Sequence, residues 1–102
     1  MFARLTIMQV DRDRIDEGIE LYRDSIVPAA KSQKGYRGIS LLVDRQSGKA
    51  ISIGLWDSEE DAMANERSRY YQEQVVKGIQ FYTKPPIREG YEVAIDFGVG
   101  PS

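Results

Sequence analysis

The chemistry open to this 102-residue chain is narrow, because two reactive residue types are missing. The chain has no Cys, which excludes disulfides, thiol nucleophiles, zinc fingers and Cys-ligated iron–sulfur clusters. It has no His either, which excludes Ser-His-Asp catalysis, a His general base, His-ligated haem and most transition-metal sites. Any catalysis must therefore use Asp, Glu, Lys, Arg, Tyr, Ser, Thr, Asn or Trp side chains.

Four side chains are candidates for a site, and each has a purely structural alternative. Trp56, the only Trp, could form the wall of an aromatic site or fill the core between a sheet and a helix. Asn65 lies inside a predicted helix, where Asn has poor propensity, so it is either exposed or polar in a pocket. Tyr36 could line a cavity or simply pack, and Arg88 could hold an anion or be a solvated charge.

A proton-transfer tyrosine is a further candidate, in the pair Tyr70 and Tyr71. An ordinary tyrosine pKa near 10 would have to be lowered for work as a base. Tyr70 follows Asn65 by five residues, which is roughly 140° around a continuous helix. A pocket that both side chains face must therefore be wide. The acidic run from Ser58 to Asp61 is typical of a helix N-terminus rather than a metal site, and no metal is expected.

Four segments have the composition of strands. Phe2 to Val10 is rich in apolar residues, and Tyr36 to Asp44 and Lys49 to Trp56 flank a short polar loop that contains a Gly, which predicts a hairpin. Tyr91 to Phe97 alternates cleanly between apolar and polar residues, which predicts a last strand. The residues from Gly98 to Ser102 are expected to form a flexible tail.

Two helices are predicted between these strands. In the first, with Asp13 as the expected cap and Gly35 at the end, apolar residues recur at helical spacing: Ile15, Ile19, Tyr22, Ile26 and Ala30. The second begins after Ser58, carries Ala62, Tyr70, Val76 and Ile79 on its apolar side, and cannot continue through Pro85 and Pro86. The order β-α-β-β-α-β predicts one α+β domain over residues 1–102, a ferredoxin-like fold with an antiparallel sheet.

The central hairpin predicts a sheet with two different faces. The aliphatic residues, expected on the outer face, are Ile39, Leu41, Val43, Ile51, Ile53 and Leu55. The smaller residues, expected beneath the helices where they could leave a cavity, include Gly38, Ser40, Ser52 and Gly54. Large helix side chains could instead fill that space. An aliphatic outer face cannot stay in water, so a homodimer closed by two sheets is predicted.

Charge and hydropathy limit the partners. Fourteen basic and sixteen acidic residues give a net charge of −2, so a nucleic-acid partner is not expected. No apolar run approaches the ~18 residues that a spanning helix needs, and a membrane partner is not expected. The first residues lack the order of a signal peptide, and the predicted location is the cytoplasm.

The run GYRGISLLVD, from Gly35 to Asp44, and the run GKAISIGLWDSEE, from Gly48 to Glu60, resemble the antibiotic biosynthesis monooxygenase-type domain family. A Gly-aromatic start of the second strand, a polar hairpin and a Trp that ends the third strand recur in that family, and the resemblance covers residues 2–97. It implies a dimeric α+β barrel. The family often has a His nine residues after the Trp, where this chain has Asn65.

The resemblance implies a function and roles for individual residues. Known oxygenases of the family oxidise phenolic polyketides without a metal or flavin. The resemblance therefore implies a cofactor-independent monooxygenase that acts on a small phenol or quinol. In such a reaction the deprotonated substrate itself gives an electron to oxygen. By resemblance, the catalytic residues are Asn65 (a hydrogen-bonding group), Trp56 (an aromatic wall) and Tyr70, and Arg88 binds substrate. Their strand positions add Tyr36 and Ser52 as further substrate-binding candidates. The haem-degrading relatives use a helix His, so haem is not expected.

Two other functions remain open at this point. One is a non-catalytic dimer that binds a small molecule or has a structural role. The other is an isomerase or lyase on the same barrel, in which a Tyr or a carboxylate transfers a proton. The fold alone does not choose among the three.

Overall fold

A computed structural model describes residues 1–97 as four antiparallel strands with helices on one face. The strands are β1 (Phe2–Gln9), β2 (Tyr36–Asp44), β3 (Lys49–Trp56) and β4 (Ile87–Glu92), in the sheet order β2-β3-β1-β4. This is the predicted ferredoxin-like arrangement. The predicted tail, residues 98–102, lies outside the described residues. No helix within residues 1–97 is long and apolar enough to cross a membrane.

The first helical segment runs from a short 3₁₀ turn (Arg12–Arg14) through α1 (Ile15–Leu21) and a π turn (Tyr22–Ile26) to α2 (Val27–Lys31). The N-cap is Asp11 and not Asp13 as predicted: Asp11 Oδ1 accepts a hydrogen bond from the Asp13 backbone N–H. The π turn ends two residues before Pro28, which has no N–H to donate to the carbonyl four residues before it. The chain then turns at Gly35, whose φ is +81°, a conformation that favours glycine.

The second helical segment is broken, although a single helix was predicted. It consists of α3 (Glu59–Arg67) and α4 (Arg69–Val76), followed by a 3₁₀ turn (Ile79–Phe81). Ser58 caps α3 as predicted, accepting a hydrogen bond from the Asp61 N–H. The break is at Ser68, which is extended and caps α4 by accepting a hydrogen bond from the Tyr71 N–H. A Ser that can cap a new helix competes with continuation of the old one.

The last strand lies earlier in the sequence than predicted. β4 ends at Glu92, so of the predicted strand from Tyr91 to Phe97 only the first two residues pair. The reason is the length of its partner: Glu92 lies opposite Phe2, the first residue of β1, and the Val93 N–H bonds the Met1 carbonyl. Beyond that point β1 offers no partner.

The register between β2 and β3 differs from the prediction, so each face of the sheet carries a different set of side chains. Leu41 lies directly opposite Ser52, and Ile39 lies opposite Gly54, so the aliphatic residues of β2 share a face with the small residues of β3. The helices cover this face. The prediction that Gly38 and Ser40 lie beneath the helices is therefore wrong, since they share the outer face with the aliphatic residues of β3. A bulge between Tyr36 and Gly38 returns Tyr36 to the helix side, opposite Trp56.

The core sits where the end of β3 meets α2 and α3. Trp56 is 3% exposed and packs with Ala30 and Ala62 in one cluster. Further side chains that are partly buried against this cluster are Phe2, Tyr36, Ile39, Met63 and Tyr71. The small alanines of the two helices let both approach the Trp56 ring closely.

Candidate functional site

A small cavity lies between the helix face of the sheet and α3, beside the Trp56 core. Its volume is about 20 Å³, which is room for about one water molecule. Among the predicted site residues, Ser52, Trp56, Asn65 and Arg88 all line it. Four strands and three helices (α2, α3 and α4) contribute to its wall, so residues that are far apart in the sequence meet here.

Asn65 has an unusual environment for a polar side chain. It is 4% exposed, and its Oδ1 has no hydrogen-bond partner among residues 1–97. A buried acceptor without a donor costs about 1–3 kcal/mol, so most proteins avoid one. Of the two readings of Asn65 from the sequence, the pocket is confirmed and the exposed position is wrong. The free Oδ1 is a ready acceptor for a hydroxyl or N–H group of a ligand.

The break at Ser68 changes which tyrosine reaches the cavity. Tyr70 is 47% exposed and does not line it, whereas Tyr71 does. Burial raises the pKa of the Tyr71 hydroxyl, and the Arg88 charge and a hydrogen bond with Asn65 oppose that rise. The angle of 140° between Asn65 and Tyr70 holds only for a continuous helix, so it does not apply across the break at Ser68. Tyr71, and not Tyr70, contributes to this cavity, and a catalytic role of Tyr70 stays a prediction.

A charged cluster forms one side of the cavity. Arg4 Nε donates to Glu66 Oε1 at 2.9 Å, and Arg88 Nε lies 3.8 Å from the same oxygen. Two guanidinium groups against one carboxylate leave this wall with a positive charge. The sequence analysis missed Arg4 and Glu66. The alternation of β1 was the available signal, because Arg4 is the charged residue in a strand whose other members are mostly apolar.

Trp56 and Tyr36 form an aromatic pair rather than two walls of the cavity. Their ring centroids are 6.1 Å apart and their planes meet at 84°, an edge-to-face contact. Trp56 lines the cavity, while Tyr36 packs behind it and does not. Tyr36, predicted as a substrate contact, thus lies against the Trp56 ring and not at the cavity, and its role stays a prediction. The Trp56 ring is held in place by this contact, so it offers a rigid flat surface.

Ser52 lines the cavity from β3 and is bonded to the first helical segment. Its Oγ lies 2.6 Å from the Tyr22 hydroxyl, and either group can be the donor. The Tyr22 hydroxyl also lies 3.4 Å from the Ser40 carbonyl oxygen. Burial raises the pKa of Tyr22, an effect that the bond with Ser52 partly offsets. Tyr22 was predicted only as part of the apolar helix stripe, because its spacing does not reveal the bond.

Together these groups give the cavity one polar, positively charged side and one apolar side. Asn65 supplies an acceptor, Tyr71 a neutral hydroxyl, the arginines positive charge and Trp56 a flat apolar surface. No group of three or more carboxylates placed to hold a metal ion occurs within residues 1–97.

Comparison of the sequence with known proteins gives partial matches. No family model matches the chain. The protein Rv2557 from Mycobacterium tuberculosis is 43% identical over 60 residues, which are 59% of this chain and 27% of that protein. Rv2558 from the same organism is 38% identical over 65 residues, which are 64% of this chain and 28% of that protein. The matched region spans about a quarter of the length of these relatives.

Comparison with solved structures gives matches over nearly the whole chain. SnoaB, a cofactor-independent oxygenase from Streptomyces nogalater, has a TM-score of 0.77 at 10% identity, covering 94% of this chain and 95% of that one. Rv0793 from Mycobacterium tuberculosis has a TM-score of 0.76 at 14% identity, covering 95% and 98%. A protein described as an antibiotic biosynthesis monooxygenase has a TM-score of 0.76 at 14% identity, covering 93% and 100%. At these identities, the likeness concerns the fold.

Proposed function

We propose that this chain, which has the fold of the antibiotic biosynthesis monooxygenase-type domain, binds a small phenol or quinol at the Asn65 cavity and oxidises it with dioxygen, without a cofactor. The observation that carries the proposal is the buried Asn65 Oδ1 without a donor. A phenolic hydroxyl is a donor of the right kind, and binding it would remove the cost of the unpaired acceptor. The oxygenase among the structural neighbours adds support at the level of the fold.

The residues of the cavity suit the first chemical step, in which the phenolic hydroxyl gives its proton to solvent water. The Asn65 amide orients the hydroxyl, and the positive wall formed by Arg4, Glu66 and Arg88 stabilises the phenolate that results. Trp56 offers its ring surface to the flat substrate. Tyr71, kept neutral by burial, can donate a hydrogen bond to the anion.

The overall reaction balances without an external reductant for a substrate with a CH₂ group conjugated to the phenolate. The phenolate gives electrons to dioxygen, one oxygen atom becomes a carbonyl at the CH₂ carbon, and the two hydrogens of that carbon leave as water with the other oxygen atom. The substrate supplies all four electrons. An anthrone, which becomes an anthraquinone, is a suitable probe of this class.

The test combines binding with oxygen uptake. Phenols, quinols and an anthrone are titrated while Trp56 fluorescence is followed, with a correction for inner-filter absorption. We expect saturable quenching by one class in the wild type and in the control Tyr70→Phe, and at least about tenfold weaker binding in Asn65→Leu. With the anthrone, an oxygen electrode should record one O₂ for each substrate molecule.

Three other outcomes would each replace the proposal. Saturable binding without turnover indicates a non-catalytic binding protein. Turnover without oxygen uptake indicates an isomerase or lyase. A flat titration across all probes contradicts a ligand site at Asn65 and leaves Trp56 as a core residue alone.

We also propose that a second copy of the chain covers the outer face of the sheet, and that the protein acts in the cytoplasm. The aliphatic side chains on that face are Leu5, Ile7, Leu42, Ile51, Ile53 and Leu55. All of them are at least partly exposed, and Leu42 is 51% exposed. Sedimentation equilibrium at micromolar concentration should give the mass of two subunits, and Leu42→Lys should shift it toward one. A wild-type mass of one subunit contradicts the dimer.

A further inference from the structure

A second cavity lies beneath α1, next to the Asn65 cavity on the same face of the sheet. Its volume is about 60 Å³ and its lining is almost entirely apolar, with Met8, Ile19, Leu41, Val43 and Phe81 among the residues that form it. Gly18 lines it from α1 without a side chain. Arg14 stands at its edge, stacked on the Phe81 ring and bonded to Glu17, so its charge is already engaged.

The sheet register places the two cavities end to end. Met8 and Ala50 are paired across β1 and β3 and line the apolar cavity, whereas Arg4 and Gly54 are paired and line the Asn65 cavity. Thr6 and Ser52 form the pair between these two and also line the Asn65 cavity. Consecutive pairs on one face are about 7 Å apart, so the two cavities are about one aromatic ring apart.

The ring of Tyr22 occupies that intervening space. Tyr22 lines the apolar cavity, and its hydroxyl reaches Ser52, which lines the Asn65 cavity. Tyr22 is also the first residue of the π turn, a feature that is frequent at functional sites. The side chain that separates the two cavities is itself a phenol, with its hydroxyl directed toward the polar end.

We propose that the two cavities are the ends of one elongated ligand site whose middle is filled by the Tyr22 ring in this structure, and that the ligand's own phenol ring takes the place of Tyr22. The ligand hydroxyl would then point toward Ser52 and Asn65, and an uncharged apolar arm would enter the cavity beneath α1. This inference deepens the proposed function and rests on the phenol site described there.

The volumes set the size of the arm. The Asn65 cavity alone cannot hold an aromatic ring, so a ring must displace a side chain. An engineered apolar cavity that binds benzene has about 150 Å³. The cavity beneath α1 has less than half of that, so it fits a short alkyl group of about two or three carbons and not a second ring. The preferred ligand is therefore a phenol or quinol with a short apolar substituent.

The first test is a series of para-substituted probes: phenol and its methyl, ethyl, propyl and pentyl derivatives. Dissociation constants are measured by Trp56 fluorescence. Burial of a methylene should tighten binding about fourfold for each carbon, up to about three carbons, after which affinity levels off. Affinity that does not rise with the substituent, or that keeps rising through pentyl, overturns the proposal.

Filling the apolar cavity should remove this dependence on the arm. Gly18→Leu places a side chain in the cavity, and Gly18→Ala is the matched control, since a Cβ at this position lies in ordinary contact at 3.9 Å from Phe81. We expect Gly18→Leu to bind phenol like the wild type and to lose the gain from ethyl and propyl. Gly18→Ala should keep most of that gain. An unchanged series in Gly18→Leu contradicts the placement of the arm.

The role of Tyr22 is tested by loosening it without removing its ring. Tyr22→Phe loses the hydrogen bond to Ser52, so a ligand should displace the ring at position 22 more easily. We expect every phenol to bind about fivefold more tightly, which corresponds to the free energy of one hydrogen bond. Tyr70→Phe is the control, because Tyr70 is 47% exposed and lines neither cavity. Equal effects of both variants, or no effect of Tyr22→Phe, overturn the role of Tyr22.

Failure of this inference is distinguishable from failure of the proposed function. If phenol binds and Asn65→Leu weakens it, but the alkyl series is flat, the phenol site stands and the elongated site is wrong. If alkylbenzenes without a hydroxyl bind as tightly as alkylphenols and Asn65→Leu has no effect, the polar end is not a phenol site and both proposals are wrong.

Discussion

The unpaired Asn65 Oδ1 makes a prediction about stability that runs opposite to the one about binding. Asn65→Leu removes a buried acceptor whose desolvation costs about 1–3 kcal/mol, and Leu is a better helix former by a few tenths of a kcal/mol. The change also loses the contact of the Asn65 amide with Tyr71, worth about 1 kcal/mol. The net result is a gain of about 1 kcal/mol, which corresponds to a Tm higher by about 4–8 °C in a domain of this size.

The assay is denaturant and thermal unfolding followed by Trp56 fluorescence. Ala64→Leu, at an exposed neighbouring position of α3, controls for the effect of adding a Leu to the helix. We expect Asn65→Leu to be more stable than the wild type and to bind phenols poorly, while Ala64→Leu changes neither property by much. A loss of 2 kcal/mol or more in Asn65→Leu would refute the reasoning, because it would mean that Oδ1 is satisfied in the folded protein.

Three further predictions concern stability alone. Gly18→Ala should stabilise the protein by up to about 1 kcal/mol in urea unfolding, because Gly is a poor helix former and the new methyl group has room beside Phe81. Gly35→Ala should destabilise it by at least about 1 kcal/mol in the same assay, because φ is +81° and the new Cβ would collide with Asp61; an unchanged midpoint contradicts this. Burial raises the pKa values of Tyr22 and Tyr71, so as pH rises these tyrosines ionise in the unfolded state before they ionise in the folded state. The free energy of unfolding should therefore be unchanged by this effect below about pH 10 and should fall above it. A lower urea midpoint at pH 11 than at pH 8 is the expected result.

Features that depend on local chemistry could be predicted from the sequence. The bounds of the central hairpin are as predicted, because a Gly-containing polar loop between two β-rich runs leaves little choice. Ser58 caps its helix as predicted, since its hydroxyl and the carboxylates that follow suit only a helix start. The place of Trp56 at the end of β3 also followed from the residues.

Features that depend on long-range pairing could not be predicted. The alternation within each strand does not show which residues of two neighbouring strands lie opposite each other, and a register shift of one residue moves every side chain to the other face. For this reason Gly38 and Ser40 were predicted on the wrong face of the sheet. Ser68 is compatible with a helix interior and with a cap, and only the packing of α4 decides between them. Choosing Tyr71 over Tyr70 follows from that break. The pairing of Arg4 with Glu66 joins residues 62 positions apart, which no local pattern reveals.

The π turn has a consequence for how proteins of this fold diversify. A π turn holds one more residue than an α turn, so deletion of one residue between Tyr22 and Ile26 would restore a regular helix at little cost. Because the π turn absorbs the extra residue locally, α1 and α2 would keep their packing on the sheet, and only the turn itself would change. Tyr22 begins that turn, so its hydrogen bond to Ser52 and the boundary between the two cavities would change with it. Relatives that differ here by a single codon would therefore be expected to accept ligands of different sizes with the rest of the sheet unchanged.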